Sequence, residues 1–144
     1  MPPIDCPFER ISEVIDEIRK QCKIIIVDFH AEATSEKIAL GKYLDGKISL
    51  LYGTHTHVQT ADEKIFLEGT GYISDVGMTG SDSGIIGMSA EVVIPKFITA
   101  LPQRFEVAEG NERFNGLSVV IDEETGECES IERINLSLKQ IEIL

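Results

Sequence analysis

Cysteine, histidine and positive charge are all in short supply in this chain, and each shortage narrows what it can be. There are only three cysteines, Cys6, Cys22 and Cys128. Their odd number and the lack of any CxxC spacing exclude a disulfide framework and a thiolate zinc site, and fit a reducing, cytoplasmic setting. Lys and Arg together number 13 against 25 Asp and Glu, a formal charge of -12. A sequence-independent grip on nucleic-acid backbone depends on clustered basic residues, so it is not expected here. A small anionic substrate would need a local source of positive charge, such as a metal. No apolar run approaches the about 20 residues that cross a bilayer, and residues 1–6 lack the basic and apolar regions of a signal peptide. A soluble protein without a membrane partner is expected. Internal repeats, low-complexity tracts and linker-like stretches are absent too, so residues 1–144 are read as a single domain.

What is present is concentrated. The three histidines fall in two short segments, Asp28-Phe29-His30 and Gly53-Thr54-His55-Thr56-His57, each following an apolar run. In an extended segment residues i and i+2 point to the same side. On that geometry His55 and His57 present two imidazoles to one spot, and Asp28 and His30 do the same from a neighbouring strand.

The coarse pattern places both segments. Ile11, Val14, Ile15 and Ile18 recur at i, i+3, i+4 and i+7 and predict an amphipathic helix over 7–21, with Asp5 as N-cap and Pro7 early in it. Residues 23–28 form a continuous β-branched run of the kind buried on both faces, read as an interior strand. Thr34 or Ser35 then caps a helix to about residue 44, closed by Asp45-Gly46, and residues 48–52 make the next strand. Strand, helix, strand is a βαβ unit with parallel neighbouring strands. Both histidine segments then lie at strand carboxyl ends, where open α/β sheets bind ligands.

Beyond Val58 the chain turns β-rich. Residues 64–67 and 71–74 read as a hairpin around Glu68-Gly69, and 75–80 as a glycine-rich loop. A helix capped by Ser89 runs to about residue 101, with Pro95 predicting a kink or a late start. Residues 104–107, 117–121 and 127–138 read as further strands, the last two antiparallel about Glu124-Thr125-Gly126. The fold class expected is mixed α/β.

Imidazole and carboxylate without thiolate favour a catalytic metal site with open positions over structural zinc, and suit iron, manganese or zinc. An isolated histidine at a strand end usually does no more than satisfy a backbone hydrogen bond. Clustering at two adjacent strand ends reverses that weighting. Asp28 is either a ligand or, more often for such a residue, the partner that orients a ligand histidine. Glu32, Asp62 and Asp75 are each either site acids or solvated loop and turn residues. Thr54 and Thr56 alternate with the histidines and read as packing, and Cys22 as buried and inert.

The runs from Val27 to Lys37, from Gly53 to Asp62 and from Ser74 to Gly80, continued by Ile94-Pro95-Lys96-Phe97 and Arg104-Phe105-Glu106-Val107, resemble the YmdB-like bacterial metallophosphoesterases. The likeness covers nearly the whole chain in order. It implies the calcineurin-like phosphoesterase fold, two mixed sheets between helical layers with two divalent metal ions at the strand ends, and hydrolysis of phosphodiesters of the cyclic-nucleotide type. By the resemblance His30 and His55 match two ligands of one metal, and His57 matches a ligand of the other. The family's early aspartate, its bridging acid and its Asn-His pair for proton transfer belong to an N-terminal half without a counterpart here.

Three expectations follow from this likeness. The chain represents the C-terminal half of a metallophosphoesterase sandwich, a βαβ unit followed by antiparallel strands. It is a phosphohydrolase family member with a small phosphodiester substrate, incomplete as an isolated chain; alternatively it is a non-catalytic metal-binding or assembly module that pairs with another polypeptide. An uncovered strand edge or apolar face makes it a homo-oligomer or a partner of the missing half.

Overall fold

The computed structural model describes residues 5–143. Met1 to Ile4, part of the stretch read for leader features, and Leu144 lie outside the described residues. The first helix, α1 (Pro7–Ile18), carries Pro at its start but takes Cys6 as N-cap without a side-chain bond. Asp5 instead lies 3.6 Å from the Arg10 guanidinium. The helix stops short of residue 21 because the amides of Gln21 and Cys22 both turn back onto the Ile18 carbonyl, at 2.9 Å each. Cys22 is exposed, contrary to the sequence reading, and Cys128 is the buried cysteine.

The βαβ unit forms as expected. Strand β1 (Ile26–His30) and strand β2 (Leu50–Thr54) are parallel and in register from Ile26 opposite Leu50 to His30 opposite Thr54. Between them runs α2 (Thr34–Tyr43), whose N-cap is Ala33 rather than Thr34 or Ser35. A hairpin of β3 (Lys64–Ile65) and β4 (Gly71–Ile73) adds to the far side, with β4 parallel to β2, giving the order β1-β2-β4-β3.

β1 is therefore an edge strand, not the interior strand its β-branched run suggests. Its free edge meets no strand among the described residues, and its side chains alternate: Val27 and Phe29 pack toward the helices while Ile26 is 55% exposed. The buried cluster lies between this sheet and the two helices and includes Ile15, Leu40, Leu44, Leu51 and Tyr72. Gly41 permits the contact, since a Cβ there would stand 2.8 Å from the Tyr72 ring.

A second sheet comprises β5 (Gly80–Ser81), β6 (Glu112–Ile121) and β7 (Cys128–Ser137), the last two a long antiparallel hairpin. Asp122 nucleates its turn by accepting the amides of Glu124 and Thr125, and Gly126 sits at φ 82°. Between β5 and β6 comes α3 (Ala90–Thr99), which begins after Ser89 and contains Pro95 without a delayed start. Residues 104–107 are not a strand. Their neighbour is a tight turn, Ile85 to Met88, so only Val107 finds a bridge, to Met88. A short α4 (Leu138–Ile141) follows β7.

One polar pair fastens the layers. The Lys37 ammonium of α2 donates to Asp75 Oδ2 at 2.9 Å, with both side chains almost wholly buried. Burial alone would raise the Asp75 carboxyl. Hydrogen bonds from the Thr56 amide, from Lys37 and from the Gly77 amide outweigh it and hold the carboxyl below its ordinary value of 3.8. A carboxyl depressed in the folded state adds stability that is complete above its unfolded value and is lost as pH falls through the folded one. Asp75→Asn should therefore flatten the acid limb of a stability–pH profile. At neutral pH it should cost about 3–5 kcal/mol in urea titrations, the usual scale for breaking a buried pair.

Candidate metal centre

β1 and β2 end side by side, and this delivers His30 and His55 to one point. His30 is the last residue of β1 and lies opposite Thr54; His55 follows directly. Gly53 lets the strand end sit this close to its neighbour, because a Cβ there would fall 1.9 Å from the Ser74 carbonyl oxygen. The two imidazoles meet edge to face, with centroids 4.9 Å apart, and His30 Nε2 stands 3.1 Å from His55 Nδ1.

With both rings neutral, their outer partners select the nitrogens that carry the protons. The Thr54 hydroxyl donates to Asp28 Oδ1 at 2.9 Å, so its oxygen accepts from His30 Nδ1–H at 3.0 Å. That leaves His30 Nε2 unprotonated. On the other ring, His55 Nε2 pairs with the Glu32 carboxylate, which as an acceptor calls for a proton on that nitrogen. His55 Nδ1 then also presents a lone pair. Two lone pairs face each other, an arrangement that is repulsive unless a cation lies beside both.

The spacing suits one. With metal–nitrogen bonds of about 2.0–2.1 Å in a tetrahedral site, neighbouring ligand nitrogens stand about 3.3 Å apart. As two of the donors such a site needs, His30 Nε2 and His55 Nδ1 are spaced to fit a divalent ion. Asp28 takes the orienting role, acting on His30 through Thr54. Thr54, read from the sequence as packing, is the link. Burial first, and then the negative charge of Asp28, push the Tyr52 hydroxyl above its usual range beside this relay.

His57 does not join the pair in the way extended geometry suggests. The strand stops at Thr54, and His55 and His57 take φ values of 114° and 66°. Both are conformations that side-chain-bearing residues rarely adopt and that tend to occur at functional sites. His57 Nδ1 instead donates to the Ile86 carbonyl at 3.1 Å. Among the described residues no three His, Cys, Asp or Glu side chains gather as a metal-holding group. Asp62 and Asp75 serve the frame: Asp62 accepts from Thr60 and Ser74, and Asp75 receives the Thr56 amide between the two histidines at 2.9 Å.

The family model for YmdB-like proteins matches residues 1–134. The chain belongs to that family. It is 54% identical over 134 residues to the 2',3'-cyclic-nucleotide 2'-phosphodiesterase of Bacillus subtilis (strain 168), a match that covers 93% of this chain and 51% of that protein. Among solved structures, a hypothetical protein from Thermus thermophilus matches with a TM-score of 0.87 at 41% identity, over 95% of this chain and 53% of the other. A structure described as a novel phosphatase from Mycoplasma pneumoniae gives 0.85 at 36% identity, over 94% and 49%. This YmdB-like chain thus spans about half the length of these relatives, as a C-terminal half would, and shares their mixed α/β architecture.

Sequence reasoning missed two supports of the histidine loop in this YmdB-like chain, Lys37 and Gln59, whose side-chain amide donates to the carbonyls of Val76, Gly116 and Ile134. Lys37 was hidden by its place in an ordinary-looking helix, and only its position on the face that carries Leu40 and Gly41 hinted at burial. The outer relay gives a direct test. Thr54→Val keeps the β-branched shape and removes the hydroxyl, and should weaken divalent-metal binding about 10–100-fold. Isothermal titration with zinc or manganese would measure it, alongside His55→Ala as the full loss of a donor.

Proposed function

We propose that this chain supplies metal-holding histidines to a divalent-metal-dependent phosphodiesterase of the cyclic-nucleotide type, and that the isolated chain is catalytically incomplete. The observation that carries this reading is the pair of facing nitrogens, His30 Nε2 and His55 Nδ1, 3.1 Å apart. The name of the Bacillus subtilis relative supports the substrate class. Iron, manganese and zinc all suit imidazole with carboxylate neighbours.

When bound, divalent ions polarise the phosphoryl oxygens and lower the pKa of the attacking water. The chain's own residues hold and orient. His30 and His55 offer one lone pair each, Thr54 and Asp28 fix the first ring, and Glu32 fixes the second. His57 is proposed as a ligand of a second ion through Nε2, the nitrogen left free when Nδ1 donates to Ile86. Two dications held close together require an anion between them. Asp28 uses Oδ1 on Thr54 and Glu32 uses Oε2 on His55, so each would have to bridge through its remaining oxygen. Elemental analysis of the purified chain together with an assay on a 2',3'-cyclic nucleotide tests the reading. Bound metal without turnover is expected. Turnover abolished by His55→Ala would overturn the incompleteness, and failure to bind any of the three metals would overturn the site.

A second reading, a non-catalytic metal-binding or assembly module, draws on the space between the sheets. Ile26, Leu50, Tyr52 and Val76 on one side and Leu117, Val119 and Ile121 on the other line an open apolar groove beside the unpaired edge of β1. Such surfaces promote association. We take the groove as the seat of a complementary half, or in its absence of a second copy. Sedimentation across a concentration series should show self-association, and a monomer at high concentration would show that the chain closes its own core.

A further inference from the structure

Next to His57 lies a cleft of about 550 Å³ that the metal-binding residues do not explain. Its size falls in the range of small-molecule sites, about 300–1,000 Å³. The loop after β2 forms one wall, the segment from Met78 to Ile86 a second, and the β6–β7 hairpin the floor.

The floor is a built polar network. Gln59 Nε2 lies within 3.2 Å of the carbonyls of Val76, Gly116 and Ile134, and so ties the histidine loop to the hairpin. Asn135 donates to Asn115 Oδ1 at 2.8 Å, and Asn115 donates to the Met78 carbonyl at 2.7 Å. Arg113 gives Nε to Asp82 Oδ2 at 3.0 Å and Nη1 to Asn135. These bonds consume most of the network's capacity and fix its orientation. Among the described residues, Arg113 Nη2 and Asp82 Oδ1 make no hydrogen bond and are open to solvent on side chains 37% and 55% exposed. A donor and an acceptor thus stand side by side at the cleft, with Met78 and Ile86 as apolar flanks.

We propose that this cleft binds the nucleoside part of the substrate, with the hydrogen-bonding edge of a purine base on Arg113 and Asp82 and its face against Met78 and Ile86. Adjacent acceptor and donor groups are what the adenine edge offers through N7 and N6, and what the guanine edge offers through O6 and N1. The volume takes a purine nucleoside with room for the phosphate toward His57. A site with oriented polar groups discriminates by leaving them unpaired when the wrong ligand enters. The inference rests on the phosphodiesterase reading for its substrate class, but every residue it uses belongs to this chain and none needs a metal.

The test is therefore made on the full chain with a chelator present. Guanosine and adenosine are titrated by NMR, with ribose and inorganic phosphate as controls. Saturable shifts confined to the amides around Met78, Arg113 and Asn115 are expected for at least one purine nucleoside, and none for ribose or phosphate. Asp82 is more than half exposed, so Asp82→Asn should fold normally, weaken nucleoside binding at least several-fold and leave metal loading unchanged. No saturable nucleoside shift at millimolar concentration, an equal response to phosphate alone, or undiminished binding by Asp82→Asn would each overturn the proposal. Metal binding intact beside any of these would sink the cleft and spare the phosphodiesterase reading.

Discussion

Three donors from three separate parts of the chain converge on one buried carboxylate. Lys37 reaches Asp75 from α2, the Thr56 amide reaches it from between His55 and His57, and the Gly77 amide reaches it from the glycine-rich loop. An unpaired charge at that depth would cost several kcal/mol, so the four groups are held together or not at all. The consequence is positional. The histidine loop leaves β2 in a conformation that its own residues disfavour, and the Asp75 contact anchors it there. Gln59 repeats the device on the outer side by fastening the same loop to the second sheet. The histidine loop is thus supported from both sheets, although His30 and His55 come from the strand ends of one.

What the sequence made legible was periodicity and adjacency. Alternating and helical patterns gave the βαβ unit, the hairpin around Glu68-Gly69 and the closing antiparallel pair, because each depends on local spacing and turn chemistry. The meeting of His30 and His55 followed, since parallel strands in register bring their ends together. Interior status for β1 did not follow: a β-branched run reports affinity for a sheet, and whether both edges are paired depends on strands that lie elsewhere. The strand expected at residues 104–107 failed in the same way, having the right composition but no long edge beside it.

The finer assignments escaped for a different reason. Thr54 sits beside histidines in sequence, and alternation places it on the opposite side; only the pairing across to β1 sets its hydroxyl against His30 and Asp28. The orientation of His57 depended on φ values that spacing does not encode. Buried polar residues such as Lys37 and Asp75 look like surface residues in a sequence because their partners are distant along it, 38 positions apart in this case. The acidic candidates divided accordingly, Asp28 and Glu32 to the rings and Asp62 and Asp75 to the frame.

His55 illustrates a tension between persistence and usefulness. At φ 114° a β-carbon is a burden that glycine would not carry. An imidazole kept in that conformation therefore works against the stability of the native state, which the surrounding hydrogen bonds offset. Populations selected only for heat resistance would drift toward glycine at this residue and lose the imidazole while improving the scaffold. Thermal tolerance and retention of this imidazole are separable properties of the fold, and residue 55 is where they part.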